Sequence, residues 1–221
     1  YFVGAEIEVD GAAFDPTTVE LMDFAPARSD RIDFLYVLPF ASDRALVEAT
    51  SFAPAPPAAG ELEAALAAAI ACCTRGRTRR EIRRERGFIP MQAQAAERTA
   101  ATGQRGWVRA GLVGGAARPS TGYAFQRIQR ATDRLAAELR TGRTPTPPAL
   151  DGKVTRCMDA LFLKVIRRWP ARGPQLFLEL FRRAPADRLE RFLAGSTASQ
   201  DRLAVIAALP PAPFLRELFA T

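Results

Sequence analysis

Three features of the sequence predict an α+β protein. Residues 1–9 and 45–52 alternate apolar with polar, and a nearly continuous apolar run at 32–40 lies just before a Ser42-Asp43 turn signal. A glycine-punctuated stretch, 109–129, passes from a short apolar run through Gly111, Gly114 and Gly115 to Arg118-Pro119, then enters a helical pattern. Everything beyond Asp151 reads as helices separated by prolines. The expected order is a β-rich region over 1–105, a strand-turn-helix over 106–141 and a helical region over 151–221.

In the β-rich region, residues 1–9 form a first strand and 19–24 a second, after the Asp15-Pro16 turn. The run 32–40 is expected to be buried on both faces. Residues 45–52 pair back on it as the other arm of a hairpin. Alternation sets Leu46, Glu48, Thr50 and Phe52 on one face, with Val47, Ala49 and Ser51 on the other. Residues 53–60, rich in proline and alanine, form a loop, and 61–73 a helix of strong formers. A short strand is expected at 85–91, ending at Pro90. Farther on, 121–139 places Phe125, Ile128, Thr132, Leu135 and Leu139 on one helical stripe, with Ser120 or Thr121 as N-cap. Pro145, Pro147 and Pro148 mark a linker. The helical region runs over 154–169 to Pro170. Pro174 and Pro185 open two more helices, Gly195 closes the second, and 200–209 ends at Pro210-Pro211.

The 221 residues are 48% hydrophobic, enough for one sizeable core or two small lobes. No run of 18 or more uncharged apolar residues occurs, so no transmembrane helix is expected. The absence of histidine excludes Ser-His-Asp and Cys-His catalysis and His-ligated zinc, and no metal site is expected. Acid–base chemistry then falls to carboxylates, Lys, Tyr or a cofactor. Cys72, Cys73 and Cys157 make no disulfide framework; the adjacent pair in an Ala-rich helix reads as small core residues in a reducing compartment. The net charge of +7, with arginine far outnumbering lysine, suits anionic surfaces. Seven arginines between positions 75 and 86 admit a nucleic-acid reading. No aromatic residue interleaves before Phe88 and no nucleic-acid motif accompanies them, so a solvated edge is the expectation and nucleic acid is not a partner.

Gly111, Gly114 and Gly115 let a backbone approach a ligand that a Cβ would hold off. The helix beyond them offers N–H groups and a partial positive charge to an anion. A flat anionic cofactor fits that combination, although glycine content alone favours a tight turn with no ligand. The dinucleotide fingerprint Gly-x-Gly-x-x-Gly is absent, and position 1 is a Tyr inside a strand pattern. A piece of a longer protein is therefore expected.

The segment Gly114-Gly-Ala-Ala-Arg-Pro-Ser-Thr-Gly-Tyr-Ala-Phe125 resembles the second flavin-contacting motif of the lycopene cyclase family, in its bacterial β-cyclase branch. Two more segments agree with that family in the same order. They are Phe34-Leu-Tyr-Val-Leu-Pro-Phe40 with Leu46-Val-Glu-Ala-Thr-Ser-Phe52, and Glu85-Arg-Gly-Phe-Ile-Pro-Met91. The similarity continues into the Leu/Phe/Arg-rich C-terminal region. It implies the C-terminal portion of a two-domain flavoprotein whose N-terminal Rossmann part is missing, with 1–105 binding substrate and 106–141 contacting flavin. It also implies reduced FAD, with NAD(P)H as electron source, held at Gly114, Gly115, Pro119, Ser120, Thr121, Gly122 and Tyr123. Gly115 stands where related flavoproteins often carry an Asp, which favours a cyclase over a hydroxylase.

The implied reaction is a redox-neutral isomerisation of lycopene or a related acyclic carotenoid. A terminal double bond is protonated, the cation closes a six-membered ring and a proton leaves. The acid must stay neutral near pH 7, which burial promotes. The family's acidic motif stands here as Glu48-Ala49-Thr50 and marks Glu48 as that acid. Ala49 departs from members with a second acid there, leaving anionic reduced flavin as the candidate base. Phe34, Tyr36 and Phe40 are expected opposite Glu48, with π faces that stabilise a cation; Thr50 and Met91 complete the pocket. Without the resemblance, Glu48 reads as an ordinary surface carboxylate. Glu85, the second matched carboxylate, orients the substrate end or the flavin ring, or pairs with Arg83, Arg84 or Arg86. The aromatic residues among the C-terminal arginines (Trp169, Phe177, Phe181, Phe192, Phe214 and Phe219, with Leu180) suit either a membrane-facing surface or a bundle core. For most of them the bundle core is the stronger reading, while the resemblance implies a cytoplasmic enzyme peripheral to the inner face of a membrane. Two other functions stay open: a related FAD-dependent oxidoreductase or hydroxylase acting on an apolar substrate, and an inactive membrane-adhering fragment.

Overall fold

The computed structural model describes residues 1–24, 28–91, 109–146, 151–196 and 198–220, arranged in two compact units. The first unit comprises Tyr1–Phe88 and Trp169–Pro174. Its five strands are β1 (Phe2–Val9), β2 (Glu20–Phe24), β3 (Ile32–Ala41), β4 (Arg44–Phe52) and β5 (Arg79–Gly87). They form one antiparallel sheet in the order β2-β3-β4-β1-β5. The hairpin of β3 and β4 turns at Ser42-Asp43 as the sequence predicts. A single helix, α1 (Glu61–Thr74), covers one face. Its Leu66 and Ile70 pack on Val3, Ala5 and Ile7 of β1, Val37 of β3, and Ala45, Val47 and Ala49 of β4. These are the odd-numbered positions, so the even-numbered ones are turned to the opposite face.

Two expectations about this sheet need correction. The strand predicted at 85–91 runs instead over Arg79–Gly87. Its arginine-rich sequence has poor strand propensity, but it pairs with β1, where Glu6 and Glu8 meet Arg83 and Arg80. The arginines thus form the solvated edge expected of them, and a charged edge resists further pairing. The run at 32–40 is not buried on both faces either. Ile32, Phe34 and Val37 are buried, Tyr36 and Leu38 half-buried, and Phe40 exposed.

The second unit comprises Ile89–Arg168 and Gln175–Thr221. A 3₁₀ turn at Gly111–Gly114 precedes α2 (Phe125–Arg140), α3 (Lys153–Arg168), α4 (Gly173–Arg183), α5 (Ala186–Leu193), α6 (Ser199–Ala208) and α7 (Pro211–Phe219). α4 begins in the first unit. The anticipated strand-turn-helix is therefore a turn-loop-helix from Arg109 onward; positions 106–108, like Pro147 and Pro148, lie outside the described residues. The helix does not start at Ser120 or Thr121, because Gly122 adopts a left-handed φ of 74° and breaks the path into it. Its predicted apolar stripe is not buried either: Phe125 and Leu139 are exposed. Arginines anchor α2 instead, with Arg127 donating to the Ala116 carbonyl (2.7 Å) and pairing with Asp151 (2.8 Å), and Arg130 donating to the Ala194 carbonyl (2.6 Å). The helical core gathers Leu180, Ala184, Leu189, Phe192, Val205 and Ala208. Phe162 lies beside it, edge-on to Phe177 and stacked on Phe214.

Candidate active site

Glu48 sits on the sheet face away from α1. Strand register places Tyr36 of β3 on one side of it and Gly4 of β1 on the other, with Glu85 of β5 beyond Gly4. One line across four strands therefore reads Tyr36, Glu48, Gly4, Glu85. The neighbouring line reads Phe34, Thr50, Phe2, Gly87. Glu85 reaches this face because a bulge between Glu6 and Ile7 of β1 resets the β5 register.

The ring of Phe34, 2% exposed, meets three aromatic neighbours edge-on: Phe52 at 4.9 Å, Tyr36 at 5.3 Å and Phe24 at 5.8 Å between centroids. Glu48 is half-buried at the border of this cluster. Burial pushes its carboxyl above the ordinary 4.5, and the negative charge of Glu85 adds to that. A hydrogen bond from the Thr50 hydroxyl to Glu48 Oε1 (2.7 Å) and the amino group of Tyr1 oppose the rise. The net effect keeps its pKa above the ordinary value. Beyond this line, Arg83 pairs with Glu85 at 3.1 Å and approaches Glu6 at 3.5 Å, and Glu6 also accepts from Arg44.

Glu48, Glu85, Phe34, Tyr36 and Thr50 thus share one face. Phe40 lies at the hairpin end, 5.8 Å from the Arg44 guanidinium and apart from the aromatic cluster. Met91 belongs to the second unit, in the irregular segment after β5. Sequence reasoning overlooked Gly4, which β1 inserts between the two carboxylates, and Phe2, which it inserts between Thr50 and Gly87. The available signal was a glycine inside an otherwise regular strand pattern.

In the second unit the glycine-rich turn folds back on itself. Gly111 and Gly115 are left-handed (φ 65° and 78°), and the Gly115 amide donates to the Leu112 carbonyl. A Cβ on Gly114 would lie 2.6 Å from the Arg109 carbonyl oxygen, whereas one on Gly111 would have no atom within 4 Å. The Gly122 amide donates to the Arg118 carbonyl, and the Arg118 amide to that of Tyr123. The fully buried Arg118 side chain pins this loop. Its Nε and Nη2 each donate to Asp159 Oδ1 (3.1 Å), Nη1 donates to the Phe192 carbonyl, and the guanidinium lies 3.8 Å over the Phe192 ring. The Ser120 hydroxyl also donates to Asp159 Oδ1, at 2.8 Å. Burial pushes the Asp159 carboxyl up, while Arg118 and Ser120 pull it back.

Ser120 is thus turned toward α3. What the loop offers a cofactor is backbone around Gly111 and the exposed side chains of Leu112 and Val113. Those groups fit a flat ring system better than a highly charged group. Asp159 was not found from the sequence; it lies 41 positions from Arg118, and no local pattern links them.

Residues 1–219 match the family model described as lycopene cyclase protein. The chain belongs to the lycopene cyclase family. It is 33% identical to the lycopene beta-cyclase of Paracoccus sp. (strain N81106 / MBIC 01143) over 226 residues, covering 96% of this chain and 56% of that protein. To the lycopene beta-cyclase of Pantoea ananas it is 25% identical over 206 residues, covering 90% of this chain and 54% of the relative. The chain spans about half the length of these curated relatives. No solved structure matches. In the helical region of this family member, Phe177, Leu180 and Phe192 are core residues, the bundle-core alternative of the two readings open for them. Phe181 and Phe219 are exposed, as are Leu178 and Leu218.

Proposed function

We propose that this chain carries the acid and the ring-closing surface of a lycopene β-cyclase, converting acyclic ends of lycopene to β-ionone rings. The observation that carries the reading is Glu48: a half-buried carboxyl raised by burial, facing Tyr36 across the strand pair and bordering the Phe34 cluster. Such a group holds a proton at a pH where an ordinary carboxyl has lost it. It would deliver that proton to a terminal carbon–carbon double bond. The resulting cation closes the ring by attack of a second double bond, and loss of a proton restores neutrality. Substrate and product are isomers. The half-exposed Tyr36 ring would present π electrons to a cation, and the buried Phe34 ring beside it would help to exclude water. Thr50 orients the carboxyl through its 2.7 Å hydrogen bond.

Reduced FAD, maintained by NAD(P)H, is the cofactor this reading requires, and the Gly111–Tyr123 loop is where this chain would touch it. When bound it would supply a negative charge able to offset a developing cation. The part of the relatives' length that this chain does not span leaves room for a dinucleotide-binding portion. The substrate is a membrane-dissolved polyene. Exposed Leu178, Phe181, Leu218 and Phe219 beside Arg182, Arg183 and Arg216 support a peripheral membrane contact. The test is to supply the intact enzyme with lycopene, FAD and NADPH under reducing conditions and resolve the pigments by chromatography. β-Ring products are expected; unchanged lycopene with flavin bound and reduced overturns the proposal.

A further inference from the structure

Gly4 is buried within β1, a strand paired on both sides. It is not among the residues with positive φ, so its backbone does not call for glycine. A glycine in a strand interior weakens the strand, and often marks a place where another group comes close to the backbone. Here that group is Glu85. A Cβ on Gly4 would meet Glu85 Cγ at 3.3 Å, Leu46 Cδ1 at 3.4 Å and Glu85 Oε1 at 3.5 Å. The Glu85 side chain therefore folds in over β1, toward the strand that carries Glu48.

We propose that Gly4 is a positioning residue of the active site: the side chain it lacks is the space through which Glu85 leans toward Glu48, making the two carboxyls an interacting pair. The importance of that pair for the reaction rests on the reading of Glu48 as the acid. Tyr36 faces it from β3, Gly4 and Glu6 from β1, and Glu85 and Arg83 from β5, with Arg44 and Thr50 on its own strand and the Tyr1 amino group nearby. Glu6 is occupied by Arg44 and Arg83, and Arg83 is shared with Glu85. Of the carboxylates on this face, Glu85 is the one whose charge raises the Glu48 carboxyl. A like charge beside a carboxyl keeps the proton on it. By leaving this space open, Gly4 extends the pH range over which Glu48 is a loaded acid.

The test is a double-mutant cycle read by carbon-13 NMR of labelled glutamate carboxyls in the 221-residue chain. Wild type, E85Q, G4V and G4V/E85Q are titrated. E85Q should lower the Glu48 midpoint by on the order of half a pH unit. In the G4V background the same replacement should move it less than half as far. The cycle cancels the extra burial that valine itself brings. Equal shifts in the two backgrounds overturn the proposal, as does the absence of any E85Q shift in the Gly4 protein. If G4V fails to fold, G4A serves, because its methyl asks the neighbours to move by only a few tenths of an ångström. The titration needs no turnover. Continued cyclisation by an E48Q enzyme would overturn the proposed function, whereas equal E85Q shifts overturn only the role of Gly4.

Discussion

Replacing Arg118 by methionine should destabilise the helical unit severely. The side chain is fully buried, and it supplies two donors to Asp159, one to the Phe192 carbonyl and a cation over the Phe192 ring. R118M keeps much of the volume but leaves Asp159, 2% exposed, with the Ser120 hydroxyl as its one side-chain donor among the described residues. Its Oδ2 already has no partner among the described residues. Breaking a buried ion pair from one side costs about 3–5 kcal/mol. With a urea slope of about 2 kcal/mol per molar, the midpoint should fall by roughly 1.5–2.5 M. The pH dependence follows in sign. Without the cation, the folded pKa of Asp159 rises further above the ordinary 3.8. Stability in the variant is then fullest below that unfolded value and is lost as pH rises through the folded one, so the deficit is largest at neutral pH and shrinks in acid. The double variant R118M/D159L, with no stranded charge, should recover at least half of the loss. Urea titration followed by far-ultraviolet circular dichroism reads all three chains. A midpoint shift under about 0.5 M for R118M, the scale of a surface pair, would refute the argument that this network pins the loop.

Three other outcomes are expected. T50V removes the hydrogen bond that lowers the Glu48 pKa, so the alkaline limb of the cyclisation profile should move to higher pH; a move to lower pH contradicts the assignment. Because the folded pKa of Glu48 is raised, its contribution to stability is present below 4.5 and lost as pH climbs through the folded value. E48Q should therefore gain on wild type in thermal stability from pH 4.5 upward, and equal melting temperatures across that range would speak against burial of the charge. Finally, this 221-residue chain alone should emerge from gel filtration without flavin, because its sequence carries no Gly-x-Gly-x-x-Gly dinucleotide-binding motif; a stoichiometric yellow protein would show otherwise.

Where periodicity and turn chemistry agreed, the sequence was informative. The β3–β4 hairpin was legible from alternation and Ser42-Asp43, but the pairing of Tyr36 with Glu48 was not, because an irregularity between Pro39 and Ala41 resets the register by one residue. β5 was not, because arginines 79–86 carry no apolar alternation; that strand exists because β1 has a free edge lined with Glu6 and Glu8. The start of α2 was misplaced because the Ser120 hydroxyl that resembles a cap is taken by Asp159. Asp159 itself was illegible: its meaning depends on Arg118, brought to it only by tertiary packing. Gly4 is an intermediate case, since the residue was visible but its neighbours across two ladders were not.

The central claim, that Glu48 donates the proton, is tested most directly by E48Q in the intact enzyme. Glutamine keeps the size and the hydrogen bond with Thr50 but has no acidic proton. With lycopene, FAD and NADPH supplied and products separated by chromatography, ring formation should fall by at least about 100-fold, the low end of what a general acid contributes. Fold and flavin content should stay unchanged. β-Rings formed by the glutamine variant at close to the wild-type rate would contradict the account, and would move the search for the acid to Glu85.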